Sequence, residues 1–166
     1  MTEVSLTTLL PASMRELRTG PLLTVRLDVE GPMAVGATPA GDRRVGVITG
    51  GRFEGERGLR GRALPGGSDW QILRADGVLT LDVRMVLETE DKHLIGMTYR
   101  GLRHGPAQVL ARLARGEAVD PSEYYFRAAP LFETASDRYG WLNRVVAVST
   151  GHRFPDGPIY QVFEVL

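Results

Sequence analysis

The sequence predicts a mainly β protein, an antiparallel β-barrel of about eight to ten strands with one short helix. Three observations predict it. Twenty glycines and ten prolines are spread along 166 residues and divide the chain into short runs with turn signals between them. Several runs alternate apolar and polar side chains with period two, the pattern of a strand with one buried face. The connections between successive runs are of hairpin length.

In chain order, residues 22–29, 45–48 and 59–64 are the first strand candidates. Residues 69–74 come next and lead through Ala75-Asp76-Gly77 to the clearest strand, 79–88. There Leu79, Leu81, Val83, Met85 and Leu87 alternate with Thr80, Asp82, Arg84, Val86 and Glu88. Thr89-Glu90-Asp91 then leads to a strand over 93–100, and at the far end runs 141–149 and 159–165 flank a Pro155-Asp156-Gly157 turn. Residues 106–115 break the period: Val109, Leu110 and Leu113 fall at helical spacing, Pro106 suits the first helical position and Gly116 the cap. This helix is expected to cover one barrel end or edge. Asp120-Pro121-Ser122-Glu123 has an N-cap residue, a proline and a glutamate three residues on, so it predicts one helical turn before a strand beginning at Tyr124.

The length suits one domain over residues 1–166, with residues 1–20 an N-terminal extension that can join the barrel. A content of 43% hydrophobic and 24% charged residues is that of a folded globular chain. Basic and acidic residues number 20 each, so no global field favours nucleic acid or anionic lipid, and neither is expected as a partner. The absence of cysteine excludes disulfides, thiol nucleophiles and thiolate metal sites. Lys92 is the sole lysine and lies in the solvated Glu90-Asp91-Lys92 turn, which argues against Schiff-base chemistry. No secretory pattern and no run near ~18 apolar residues is found, so the expected location is cytoplasmic, without a membrane. A barrel with an apolar outer face would need a cover, which makes a homodimer or higher homo-oligomer the expected assembly.

Four clusters are candidates for chemistry. Leu64-Pro65-Gly66-Gly67-Ser68-Asp69-Trp70 sets an acid and a large aromatic at the start of a strand, hence at a barrel mouth. Asp69 either caps the turn or acts as a general acid or base, and Trp70 either plugs the barrel or walls a substrate. Asp82, Arg84 and Glu88 share one strand face: outward they are solvated charges, and inward Arg84 is a fork for a carboxylate, enolate or phenolate oxygen. In Tyr124-Tyr125-Phe126-Arg127 and Pro130-Leu131-Phe132-Glu133-Thr134 the aromatics suit core or interface, while Arg127 and Glu133 are charges embedded in an aromatic run. Tyr139, Trp141 and Asn143 are read on one strand face, where Trp141 and Asn143 form a stacking wall beside an amide, or else Asn143 satisfies backbone at a bulge. His93, His104 and His152 have no ligand spacing, so no metal is expected. Gly50-Gly51-Arg52-Phe53-Glu54-Gly55 precedes no helix, and no G-x-S-x-G elbow occurs.

Taken together, Ile48-Thr49-Gly50-Gly51, Leu64-Pro65-Gly66-Gly67-Ser68-Asp69-Trp70, Asp76-Gly77, Gly116-Glu117, Asp120-Pro121-Ser122-Glu123-Tyr124-Tyr125-Phe126-Arg127 and Trp141-Leu142-Asn143 resemble the domain of unknown function 3237 family (DUF3237), also called UPF0311. The similarity runs from roughly Leu22 to the C-terminus, and the ordered set is more specific than any one motif. The resemblance implies a β-barrel for a small cytoplasmic protein and no cofactor. It brings no established reaction.

The residues therefore point first to a cofactor-independent enzyme acting on a small molecule by proton transfer, as an isomerase, cyclase, lyase or hydrolase. Asp69 or Glu133 would be the acid or base and Arg84 or Arg127 would stabilise negative charge. Trp70, Trp141 and Asn143 would position the substrate. The alternatives are a non-catalytic small-molecule-binding barrel and a structural oligomer. The catalytic reading requires these side chains to converge on one cavity.

Overall fold

The structure, a computed structural model, describes residues 5–166. Two 3-10 turns, Leu6–Leu9 and Ala12–Met14, lead to a long hairpin of β1 (Thr19–Thr38) and β2 (Gly41–Gly55). β3 (Arg60–Ala63), β4 (Gly67–Leu73), β5 (Leu79–Thr89) and β6 (Leu94–His104) follow. The helix α1 (Ala107–Ala114) and a 3-10 turn (Pro121–Glu123) precede β7 (Tyr125–Glu133). A further turn, Gly140–Arg144, precedes β8 (Ala147–Phe154) and β9 (Gly157–Val165).

The nine strands form one antiparallel sheet that returns on itself. Its order is β1-β9-β8-β7-β6-β5, after which both β3 and β4 bridge β5 to β2, and β2 pairs with β1 to close the ring. β3 and β4 share one position: β4 lies against Leu79–Arg84 of β5 and β3 against Leu87–Thr89. The ring thus has two distinct ends. α1 covers the end at Leu73 and Leu79, as expected for the single helix, and the β5–β6 turn marks the other.

The direction of the β5 alternation decides what fills the ring. Leu79, Leu81, Val83, Met85 and Leu87 are buried, while Arg84 and Val86 are exposed. Turned outward, Asp82 pairs with Arg100 at 3.6 Å, and Glu88 with Arg62 and Lys92, each at 3.0 Å. Turned inward, these charges would have been stripped of water by a core built from Leu27, Phe53, Tyr99, Phe126 and Tyr160, a cost that apolar packing does not incur. The inward reading of Arg84 is therefore corrected: it faces solvent.

Two further departures have local causes. Residues 141–149, read as one strand, divide into the Gly140–Arg144 turn and the strand that begins at Ala147. The Asn143 amide accepts from the Thr134 N–H at 2.8 Å and donates to the Thr134 carbonyl at 2.9 Å, replacing a ladder pair and holding the turn outside the sheet. β1 and β2 extend well beyond residues 22–29 and 45–48, because register shifts after Asp28, Glu30 and Ala34 interrupt the alternation that marks a strand. Residues 5–18 of the N-terminal extension lie outside the sheet, and residues 1–4 fall outside the described region. The expected turn at Pro121–Glu123 forms, with a capping box between Asp120 and Glu123.

Gly157 opens β9 at a φ of +149°, and a Cβ there would overlap the Leu27 carbonyl oxygen. The Gly157→Ala variant is expected to lose about 2 kcal/mol or more of stability. The urea midpoint measures this, and an unchanged midpoint would mean that the two strands can separate without cost.

Candidate functional site

A cavity of about 370 Å³ occupies the α1 end of the ring. Its apolar walls include Leu27, Leu81 and Phe126, and α1 contributes Leu110, Leu113 and Ala114 as a roof. The helix meets the cavity with the side chains that its 3.6-residue period brings to one face. The polar groups come from strands: Asp69 and Gln71 from β4, Tyr99 and Arg103 from β6, Arg153 from β8 and Tyr160 from β9. Within β4 and within β6 the two residues share a face by strand periodicity.

Asp69 is 8% exposed, and both carboxylate oxygens are held. One accepts from Gln71 Nε2 at 2.7 Å and the other from the Asp82 backbone N–H at 3.2 Å. Burial pushes its pKa up to about 6, against the opposing pull of these two hydrogen bonds and of Arg103. Burial, and then the like charge of Arg153, act to lower the pKa of Arg103, though a guanidinium stays charged. Burial raises the pKa of Tyr99 and Tyr160, so both remain neutral phenols, and the hydrogen bond between them takes up one of their two O–H donors. Tyr124 beside them accepts from the Arg153 N–H at 2.9 Å and lies 2.9 Å from His152 Nδ1.

Two of the three cavity arginines are unusual in their partners. Arg44, which also lines the cavity, is paired with Asp42 at 3.1 Å. Arg103 forms neither an ion pair nor a hydrogen bond with the described residues, and Arg153 Nη1 donates to the Phe154 carbonyl at 2.5 Å without an ion pair. The arrangement joins a carboxyl group that titrates near neutrality to guanidinium groups with free donors. That combination can accept a proton and hold an oxyanion.

Of the residues singled out from the sequence, the cavity takes in Asp69. Trp70, next to it in β4, points the opposite way, is 50% exposed, and donates to Ser68 Oγ at 3.2 Å. It lines a separate groove on the outer face with Arg127, whose guanidinium lies 5.1 Å from the Tyr125 ring centre. Arg84 and Glu133 are exposed on the outside of β5 and at the end of β7. Trp141 lies under the Arg57 guanidinium at 4.2 Å, in the turn that also carries Asn143, at the end of the ring away from α1. The expected convergence of all seven therefore does not occur.

Arg103, Arg153, Tyr99 and Tyr160 went unremarked in the sequence. Continuing the alternation Ile95, Met97, Tyr99 past Arg100 would have reached Arg103 on the same face. No group of three or more potential metal-ligating side chains is found among the described residues. His93 packs on Tyr139, His104 on Tyr125 and His152 on Phe154. No helix among the described residues is long and apolar enough to cross a membrane.

With this geometry in hand, comparison with known proteins gives a consistent answer. The model for "Protein of unknown function (DUF3237)" matches residues 17–165. The chain belongs to this family. A UPF0311 protein of Rhodopseudomonas palustris is 35% identical over 150 residues, covering 90% of this chain and 97% of that one. Its crystal structure superposes with a TM-score of 0.87 over 91% of this chain and 99% of that one. A protein from Acinetobacter baumannii, described as β-barrel like, is 40% identical with a TM-score of 0.79, covering 91% of this chain and 97% of its own. A protein from Penicillium herquei described as an enzyme has the same fold at 21% identity and a TM-score of 0.68, covering 90% of this chain and 95% of its own.

The Asp69 pKa has a stability consequence whose sign is the reverse of the usual carboxylate case. The folded value of about 6 lies above the ordinary aspartate value of 3.8, so the folded state binds the proton more tightly. The resulting stability is present below pH ~4 and is lost as pH rises through ~6. Relative to Asp69→Asn, the wild type is expected to lose on the order of 2–3 kcal/mol between pH 4 and pH 7.5. Denaturant midpoints of both proteins measure it; a gap that stays constant with pH would contradict a raised carboxyl group.

Proposed function

We propose that this DUF3237 protein is a cofactor-independent enzyme that moves a proton on a small molecule held in the α1-roofed cavity. The reaction class is isomerisation, cyclisation, elimination or hydrolysis. One observation carries the reading: Asp69 is a buried carboxyl with a pKa of about 6, in a cavity whose Arg103 and Arg153 have no carboxylate ion-pair partner among the described residues.

Each group then has a role grounded in its chemistry. Asp69 takes or returns the proton, and a pKa near the working pH balances basicity against the fraction ionised. Gln71 and the Asp82 N–H orient the carboxylate toward the cavity. Arg103 and Arg153 stabilise negative charge as it develops on a substrate oxygen, in a site where partial dehydration strengthens the attraction. Tyr99 and Tyr160, held neutral by burial, are hydrogen-bonded to each other, which leaves one O–H of the pair to donate to the same oxygen. Glu133, Arg84, Arg127, Trp70, Trp141 and Asn143 lie elsewhere and enter no step of this scheme. The Penicillium herquei protein, described as an enzyme, lends the reading the support of analogy, since a shared fold does not carry a reaction with it.

The second reading is a carrier that uses the same cavity without chemistry. Incubation with a panel of enolisable carbonyl compounds in D₂O separates the two, with C–H exchange read by NMR. The wild type is expected to exchange at least one compound, with a rate that rises through pH ~6. Asp69→Asn should lose about a hundredfold or more of that rate. Binding without exchange across the panel would leave the carrier.

We also infer a single-domain cytoplasmic protein that works as a homodimer. Trp70, Leu102, Tyr125 and Val148 are exposed together on the outer groove, a surface that a second copy would shield. Leu102→Asp should then lower the mass seen by light scattering to that of a monomer. A wild type already monomeric at micromolar concentration would remove this inference.

A further inference from the structure

We propose that the cavity selects a carboxylate: its ligand is a small organic monoanion whose carboxylate lies between Arg103 and Arg153 and whose flat apolar body lies against Leu27, Leu81 and Phe126. This rests on the cavity being the functional site and goes beyond it by naming the chemical class of the substrate.

The donors come first. An arginine presents five N–H groups in a rigid fork, and a guanidinium drawn out of water without an acceptor costs free energy. Arg103 has no ion pair and no hydrogen bond among the described residues, and Arg153 uses one donor on the Phe154 carbonyl. Arg84 and Arg127 also lack a carboxylate partner, but both are exposed to water. The cavity is therefore the place where partly dehydrated guanidinium donors are directed into a space that a ligand can enter.

The charge of the ligand follows from the groups around that space. Arg44 is neutralised by Asp42 and Asp69 offsets one of the two remaining positive charges; Asp156, whose charge also acts on Arg153, is itself bridged to Arg26 at 2.7 Å, and Glu30 stands exposed at the rim. One unmatched guanidinium suits a single negative charge. A dianion such as a phosphate monoester would be repelled by Asp69 and would meet walls that are mostly hydrocarbon. A carboxylate matches the fork in shape and places an attached apolar body among the leucines and Phe126. Leu110 and Leu113 of α1 then close over it.

Calorimetric titration with trans-cinnamate and with cinnamamide, its neutral counterpart, tests the proposal. The wild type is expected to bind cinnamate at least about tenfold more tightly than cinnamamide. Arg103→Met and Arg153→Met should each weaken cinnamate binding by about tenfold or more while leaving cinnamamide unchanged. Arg127→Met, on the outer groove, should keep wild-type affinity. Asp69→Asn should bind cinnamate as well as the wild type or better, since a like charge is removed. Equal affinity for acid and amide, no binding of either, or loss in Arg127→Met with retention in Arg103→Met would each overturn the proposal. The acid and amide comparison needs no variant and so does not depend on the folding of any mutant. Cinnamate binding without C–H exchange on any compound defeats the catalytic reading alone. Exchange of neutral compounds that cinnamate does not inhibit defeats the carboxylate proposal alone.

Discussion

β1 and β2 pair from Leu23–Gly55 out to Thr38–Gly41, and this seam converts a nine-stranded sheet into a ring. Closure removes the sheet edges, which would otherwise invite pairing with other chains, and gives every strand an inner and an outer face. It also sets how much polarity the inside can hold. From Leu79 to Leu87 the inward side chains of β5 itself are all hydrocarbon, and Asp82, Arg84 and Glu88 are confined to the outer face. Polar side chains enter the ring toward the α1 end, where the cavity leaves them room for water or a ligand. The position of the candidate site follows from the closure of the sheet and the roof that spans one end.

At that end two tendencies oppose one another. Burial raises the free energy of ionised Asp69, while Gln71, the Asp82 N–H and Arg103 lower it. The result is a carboxyl that changes charge near neutral pH. A fully paired Asp–Arg bridge in the same place would have held the proton off at every physiological pH and left no donor free. The lack of a carboxylate ion pair on Arg103 and Arg153 among the described residues is thus what distinguishes this cavity from a structural ion pair.

Much of the fold was legible because strand periodicity and turn chemistry are local. The alternation of residues 79–88 located β5, and the Ala75-Asp76-Gly77 and Pro155-Asp156-Gly157 turns located its neighbours and the final hairpin. The site was less legible, for two physical reasons. Alternation is symmetric between inside and outside, so the β5 pattern alone could not say which face Arg84 takes, and its neighbours in space decided it. Adjacent strand residues face opposite sides, so Asp69 and Trp70 could not both look inward, and treating them as a unit joined a cavity residue to an outer one. For Asn143 the alternative that it satisfies backbone groups is the one that matches the Thr134 pairing, in a turn instead of at a strand bulge, and such a side-chain pairing leaves no periodic trace.

The roof has an attachment unlike that of the ring. α1 is eight residues long, is entered through Gly105-Pro106, and is left at Gly116, whose φ of +76° ends the helix. It is anchored by Val109 in the core and by the exposed bridges of Arg112 to Glu117 and Glu123, which are individually weak. The side chains it presents to the cavity, Leu110, Leu113 and Ala114, contribute to no strand pairing. Exchanging a few helix residues would therefore change what the cavity admits without breaking a strand pairing, with the sheet as the vessel and the helix as its interchangeable stopper.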